Sequence, residues 1–422
     1  MRANPSYITG LNRGIALVIS FLMACIVFVP QPVINRSAMP LNIFLLSGFL
    51  FYTFAAGKPF LKAVKDADAA DIALFIFLAI VSVSLFYSRD IDIAGKRYAL
   101  TYLPVIFIYM ISKSQSKDIS LTAVKLICLA GLAMSVFMVL AALLDISLTF
   151  QNLFSSRYYR YASYPSYAGR AFGVFYHPTI TGAFLTMVLP FAALFLSDRK
   201  NKISFAFGCA LFIFVSAAIY LTFSKMAWLI ACCIFLWYLR AVKAGIKNLI
   251  LTSALIMAAI FLVKYDVFRK QFGPDLIVTA VSYRLQSFVM AINMALDHPF
   301  AGAGLDHFRL LYLEYNHDAS VPGGLRIPDN MYLTILAETG IAAVLSFIAF
   351  AVFLIRKAIK KIKNMPLGPD KIFTEAALIS IAGALMHSTS YDSFYWCAPL
   401  VMFWMLAGIL SGLVKNLDGK RT

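Results

Sequence analysis

Hydrophobic residues in this chain come in long runs separated by polar joints. An α-helix needs ~20 apolar residues to cross the ~30 Å hydrocarbon layer of a bilayer. About twelve windows approach that length, at 14–30, 40–57, 72–88, 98–112, 120–144, 173–197, 204–222, 226–240, 247–264, 331–355, 373–388 and 394–414. Most joints are short, but those at 145–173 and 265–330 are long. The pattern predicts an all-α polytopic membrane protein in three parts. Residues 1–264 hold spans one to nine with a Tyr/Arg-rich outer loop at 145–173, residues 265–330 form a helical flap, and residues 331–422 hold spans ten to twelve and a tail.

The flap has a pattern of its own. Leu285, Phe288, Val289, Ile292 and Leu296 follow i, i+3, i+4, i+7 and i+11, an apolar stripe at helical period, with Arg284 at its margin. The segment breaks at Pro299 and 302–304, resumes briefly around 306–315, breaks again at 322–324 and re-enters an apolar run just after Asp329. This predicts a half-buried helix over the mouth of the bundle.

Composition agrees with a membrane protein. The chain is 61% hydrophobic and 14% charged, with mean hydropathy +0.80, where a soluble domain carries about 25% charged residues. The basic run RKAIKKIK at 356–363 lies in an inner segment, and the positive-inside bias predicts both termini in the cytoplasm. The net charge of +17 then reflects topology and anionic lipid, and no basic soluble domain stands ready for nucleic acid. The first apolar run is as long as the others and lacks a small-residue cleavage site, so no cleavable signal peptide is expected. The six cysteines, Cys25, Cys128, Cys209, Cys232, Cys233 and Cys397, fall in apolar spans without metal-ligand spacing. They read as core residues, with neither a disulfide nor a metal site expected.

Several polar residues interrupt the apolar frame. Asp90 and Asp92 form a D-x-D beside Arg89, Lys96 and Arg97, which reads as a solvated ion-pair cluster more readily than as a metal site. In the joint at 145–173, five tyrosines, among them Tyr158 and Tyr161, mingle with Arg157, Arg160 and Arg170. They read equally as an interfacial aromatic belt and as a platform for sugar rings. His177 precedes a proline at a helix start. Lys225 stands in a tight turn between two apolar runs, and cations at such depth usually face a cavity.

Four blocks in this order, RAFGVFYHPTITGAFLTMVLP, LTFSKMAWL, YRLQSFVMAINMALDHPFAGAGLDHF and PDNMYLTILAETG, resemble the O-antigen ligase/polymerase superfamily of bacterial envelope glycan enzymes. They span about 170–340, whereas the first 150 residues match only in hydropathy. The resemblance implies a GT-C-like glycosyltransferase of the bacterial inner membrane with its active site on the periplasmic side. It implies an undecaprenyl-diphosphate-linked glycan as donor and metal-independent, inverting transfer without a cofactor. The acceptor is a second lipid-linked repeat in polymerases or lipid A-core in ligases, and a chain-length regulator is a further candidate partner. On the family pattern, an arginine after the seventh span is replaced here by Lys225. The arginine opening the flap helix is kept as Arg284, and the ligases' essential histidine is replaced by Asp329. Asn330, Leu333, Glu338 and Gly340 keep the pattern.

Transfer from a lipid diphosphate requires stabilisation of the leaving anion and removal of a proton from the acceptor hydroxyl. Lys225, Arg284 and Arg326 are the candidate diphosphate-binding residues, and Arg157, Arg160, Arg170, Tyr158 and Tyr161 the candidate glycan contacts. Asp329 is the candidate base, although an aspartate at a helix start also reads as an N-cap, and a plain Asp is a weak base unless desolvated. His177, His307, Asn330 and Glu338 are candidate supporting residues. Glu338 lies nine residues beyond Asp329, roughly 13 Å deeper along a helix, where it reads as a brace or as a cation's partner. The resulting expectation is a polysaccharide polymerase, with an O-antigen ligase as the alternative. A small-solute transporter and a metal-dependent oligosaccharyltransferase using Asp90 and Asp92 are rivals from other classes.

Overall fold

A computed structural model describes residues 67–144, 169–171, 173, 175, 177–242, 245–316, 327–395 and 397–416. Spans one and two, Arg157, Tyr158, Arg160, Tyr161, Arg326 and the outer loop apart from its last residues lie outside the described residues. Every other predicted window is helical. Eight helical stretches among the described residues are long and apolar enough to cross a membrane.

Helix α1 (Ala69–Ser84) starts at a reciprocal cap: Asp68 accepts from the backbone of Ala70 and Asp71, and Asp71 accepts from the backbone of Asp68. A short α2 (Ile91–Arg97) and a π turn (Tyr98–Tyr102) lead into α3 (Leu103–Ser114), and α4 (Lys117–Leu144) returns. The window at 173–197 is two helices, α5 (Pro178–Val188) and α6 (Ala192–Ser197), joined by a 3-10 turn at Pro190, whose ring cannot continue an α-helical ladder. Then come α7 (Lys202–Leu221), α8 (Lys225–Ala241) and α9 (Ile246–Val263). The flap region holds α10 (Tyr265–Gln271), α11 (Pro274–Asp297) and α12 (Phe308–Leu311). The window at 331–355 is not one span. It breaks at Gly340 into a short α13 (Met331–Thr339) and a long α14 (Ile341–Lys363), because Gly340 sits at φ 82°, outside helical space. The chain closes with α15 (Pro369–His387) and α16 (Cys397–Asn416).

The core is aromatic. Phe347, Phe350 and Trp404 are buried where α14 meets α16, with Tyr109 of α3 against them. Helices α3 and α16 approach closely because a Cβ at Gly408 would lie 2.3 Å from the Tyr109 carbonyl oxygen. At one end of the bundle, ion pairs join Lys357 to Asp68 and Lys117 to Asp370. At the other end, the mouth, the helix ends are tied across long sequence distances. Asp90 N–H donates to His307, Met331 N–H to the Ser388 carbonyl, and Arg170 to the Thr222 carbonyl.

Helix α11 differs from its expected packing. Its buried face is Ser287, Met290, Ala291, Met294 and Ala295, packed against α13, whereas Leu285, Val289, Ile292 and Leu296 of the apolar stripe are exposed. Ser287, Ala291 and Ala295 allow the close approach to α13, Met290 and Met294 fill the contact, and the exposed residues of the stripe are left outside. Phe272, just before α11, meets the Trp228 ring near the start of α8. Gly302 and Gly304, just after it, press on the end of α13 and on Ser88. Both ends of α11 therefore sit at the mouth. Its length and composition would also let it span a membrane.

Candidate functional site

The two most specific blocks of the sequence are one structural unit. The loop after α11 lies against the C-terminus of α13: Ala303 N–H donates to the Ala337 carbonyl, Gly304 N–H to that of Glu338, and Ile341 N–H to that of Pro299. Gly302, Gly304 and Gly340 all have positive φ. A Cβ at Gly302 would fall 2.2 Å from the Glu338 backbone, and one at Gly340 would fall 2.2 Å from the Phe300 carbonyl oxygen. Glycine is needed there for both conformation and space. Glu338 is buried, and its carboxylate accepts from Phe308 N–H at 3.3 Å, so it braces the loop that anchors α11.

At the other end of α13, Asn330 is the N-cap. Its side-chain oxygen accepts from Tyr332 N–H (2.9 Å) and Leu333 N–H (3.1 Å), and its amide donates to the Thr389 carbonyl (3.0 Å). The alternative reading of Asp329 as the cap is thereby corrected: the next residue supplies the acceptor, and the Asp329 carboxylate points elsewhere. Asp329 sits at φ 50°, a left-handed conformation that Asp tolerates better than most residues. Its Oδ2 lies 3.6 Å from Arg284 Nε, and its side chain is 20% exposed. Burial pushes its carboxyl up to about 6, the nearby Asp392 adds to the rise, and the Arg284 guanidinium opposes it. Ser287, one turn after Arg284, donates to the Pro328 carbonyl at 3.2 Å and pins α11 beside this residue.

Lys225 begins α8, is exposed, and places its ammonium 5.2 Å from the centre of the Phe272 ring. Arg284 and Arg170 both lie within electrostatic reach of it, so Lys225 and Arg284 share the mouth. Arg170 donates to the Thr222 carbonyl at 2.8 Å, and Ala171 N–H to that of Leu221, which fastens the end of the outer loop to the turn carrying Lys225. The residue after Thr222, Phe223, has φ 52°. A tight, strained turn thus sets the lysine in place.

His177 caps α5: its Nδ1 accepts from Thr179 N–H at 3.2 Å, which leaves the proton on Nε2. Its ring stacks on Tyr391 with centroids 4.8 Å apart. Burial, then Arg170 and Arg284, hold its pKa well below the usual histidine range, so it is neutral. His307 is buried, with Nδ1 on the Leu305 carbonyl (2.8 Å) and Nε2 accepting from Asp90 N–H (3.0 Å). Both ring nitrogens are engaged with backbone groups. Asp90 caps α2 through Asp92 N–H and Ile93 N–H. The expected cluster around it does not form: Arg89 pairs instead with Glu314 at 3.2 Å, and Arg97 is buried over the Tyr395 ring at 4.2 Å. Each arginine reaches a partner brought by tertiary packing rather than a sequence neighbour.

The turn between α15 and α16 went unmarked in the sequence, yet it walls the site. Tyr391 stacks on His177. Asp392 is buried beside Arg97, accepts from Phe394 N–H (3.2 Å) and Tyr395 N–H (3.1 Å), and is raised above the usual carboxylate range by burial. His387 contacts Ser393 (3.0 Å) and Ser224 (3.5 Å), the residue before Lys225. The visible signal was HSTSYDSFY, a polar stretch between two apolar spans.

Fold and site together define a multi-pass helical membrane protein with an Arg–Lys–Asp cluster at one end of its bundle. Residues 209–348 match the family model described as O-antigen ligase. The match contains three of the four blocks and the elements carrying Lys225, Arg284, Asp329 and Glu338. No curated protein matches the chain.

Proposed function

We propose that the protein is a periplasm-facing glycosyltransferase that moves a glycan from an undecaprenyl-diphosphate donor to the next lipid-linked repeat unit. The observation that carries this reading is the Arg284–Asp329 pair at 3.6 Å, with Lys225 in electrostatic reach. Cations and a carboxylate of raised pKa meet there, at the end of a bundle whose other end carries the basic run at 356–363. The positive-inside bias puts that run in the cytoplasm and the cluster on the far side.

In the proposed reaction the Asp329 carboxylate accepts the proton of the acceptor hydroxyl as its oxygen attacks the anomeric carbon. The bond from that carbon to the donor phosphate breaks, and the electron pair leaves on the diphosphate. Attack opposite the leaving group inverts the anomeric centre. Arg284 offers a planar fork to the departing phosphate and Lys225 a point charge, fixed cations set where negative charge develops. His177, held as the Nε2–H tautomer, supplies a neutral donor, and Arg170 with the tyrosines at 158 and 161 contacts the glycan.

A second reading is favoured by the family match itself: an O-antigen ligase that passes the glycan to lipid A-core, with Asp329 in place of the histidine. Purified protein in proteoliposomes, given lipid-linked donor with and without lipid A-core, tests both. Longer lipid-linked chains without core support the polymerase, core-linked product supports the ligase, and neither product defeats both. Loss of turnover on chelation would point instead to a metal-dependent transferase.

A further inference from the structure

The exposed face of α11 has no partner within the described chain. Val281, Leu285, Val289, Ile292 and Leu296 recur every three or four residues and so form one line along the helix, with Leu285 58% and Leu296 72% exposed. The line ends at Phe300, 81% exposed. Helix α11 is 24 residues long, roughly 36 Å. The line itself, from Val281 to Leu296, runs roughly 23 Å, and an exposed apolar line of this kind marks a lipid or protein contact.

Its surroundings select lipid. Helix α9, long and apolar enough to span, leaves Leu255, Leu262 and Val263 exposed on its outer side. Tyr265 and Phe272, which stand between α9 and α11 in the chain, are exposed as well. Between the two lie the exposed Arg269 and Lys270 of α10. Apolar line, aromatic edge and basic flank are the marks of a helix lying in the plane of a membrane surface. The course of α11 across the mouth gives it that orientation.

We propose that α11 is bound to the bilayer along this line, with its bulky residues among the acyl chains of the leaflet at the mouth end. Arg284, on the margin of the line, is then held at headgroup depth. The lipid contact rests on geometry alone. That Arg284 thereby meets the diphosphate of a membrane-anchored donor rests on the proposed function.

Wild-type protein in phosphatidylethanolamine/phosphatidylglycerol vesicles, doped with a phospholipid carrying a diazirine on its acyl chain, tests the lipid contact after irradiation, digestion and mass spectrometry. The expected result is adducts on Leu285, Val289 and Leu296 comparable to those on Leu255 and Leu262, and none on the buried Met290 and Met294. Adducts on α9 without any on α11, or cross-links joining two protein copies through this face, overturn the proposal. Val289→Glu with Leu296→Glu removes the acyl adducts on α11 and raises KM for the lipid-linked donor severalfold while kcat changes little. Unchanged KM with the adducts gone overturns the link to the donor. Labelling does not depend on turnover, so an inactive protein that is labelled on α11 contradicts the proposed function but not the lipid contact.

Discussion

Arg284 and Asp329 approach to 3.6 Å, one on α11 and the other just ahead of the cap of α13. Neither position is accidental. Ser287 ties α11 to the Pro328 carbonyl, and Asn330 takes over the capping that Asp329 would otherwise perform. The carboxylate is left next to a cation that an anionic ligand would also engage. Binding of a diphosphate to Arg284 would weaken its hold on Asp329 and make that carboxylate more basic when the donor is in place.

Asp329→Asn gives a test by pH. In the wild type, transfer falls as pH drops through about 6, where Asp329 gains its proton and ceases to be a base. The variant loses nearly all turnover, and what is left no longer falls through about pH 6. Its stability moves the other way. A carboxyl whose folded pKa is raised favours folding while protonated and loses that contribution as pH rises from about 4 to about 6. Asp329→Asn is therefore more stable than wild type by about 1–3 kcal/mol above pH 6 and equal to it below pH 4. Thermal unfolding at the two pH values, beside kcat/KM profiles, checks both halves.

Lys225→Ala removes the point charge at the start of α8 and lowers turnover by about 10²–10³, the usual cost of losing one stabiliser of a leaving anion. Lys225→Arg keeps the charge and supplies a fork, and retains activity. Equal activity in all three proteins, measured at matched membrane abundance, would remove Lys225 from the site.

Gly302→Ala places a Cβ 2.2 Å from the Glu338 backbone at a φ of 69°. Neither the backbone nor the contact can give way cheaply, so the variant loses more than ~2 kcal/mol and its transfer activity falls as α11 comes loose. Gly95→Ala in α2 has nothing within 4 Å of the new Cβ and gains up to ~1 kcal/mol from helix propensity. Thermal unfolding of the pair in detergent separates local crowding from a general intolerance of substitution.

The described apolar helices were legible because a bilayer demands long apolar runs, and that demand is written residue by residue. The break at Gly340 was hidden because apolar residues lie on both sides of it, and only the Phe300 carbonyl pressing on that glycine shows why the helix stops. The stripe on α11 was visible as a period, yet period alone does not say which face meets protein. Ala291 and Ala295 face inward beside Met290 and Met294, and the exposed stripe of Leu285, Val289, Ile292 and Leu296 faces out. Asp329 and Arg284 could be singled out from their motif, but Asn330 as the cap depends on backbone angles that sequence does not print. Tyr391, Asp392 and His387 were missed because their partners, His177, Arg97 and Ser224, stand more than 160 positions away.

The central claim is that Arg284 and Asp329 act as one unit in glycan transfer. A double-mutant cycle on kcat/KM in proteoliposomes, with Arg284→Ala, Asp329→Asn and the pair, tests it most directly. Each single variant is expected to lose nearly all transfer, and the double variant to be no worse than either. Single variants that retain wild-type transfer, or losses that simply multiply in the double, would contradict it.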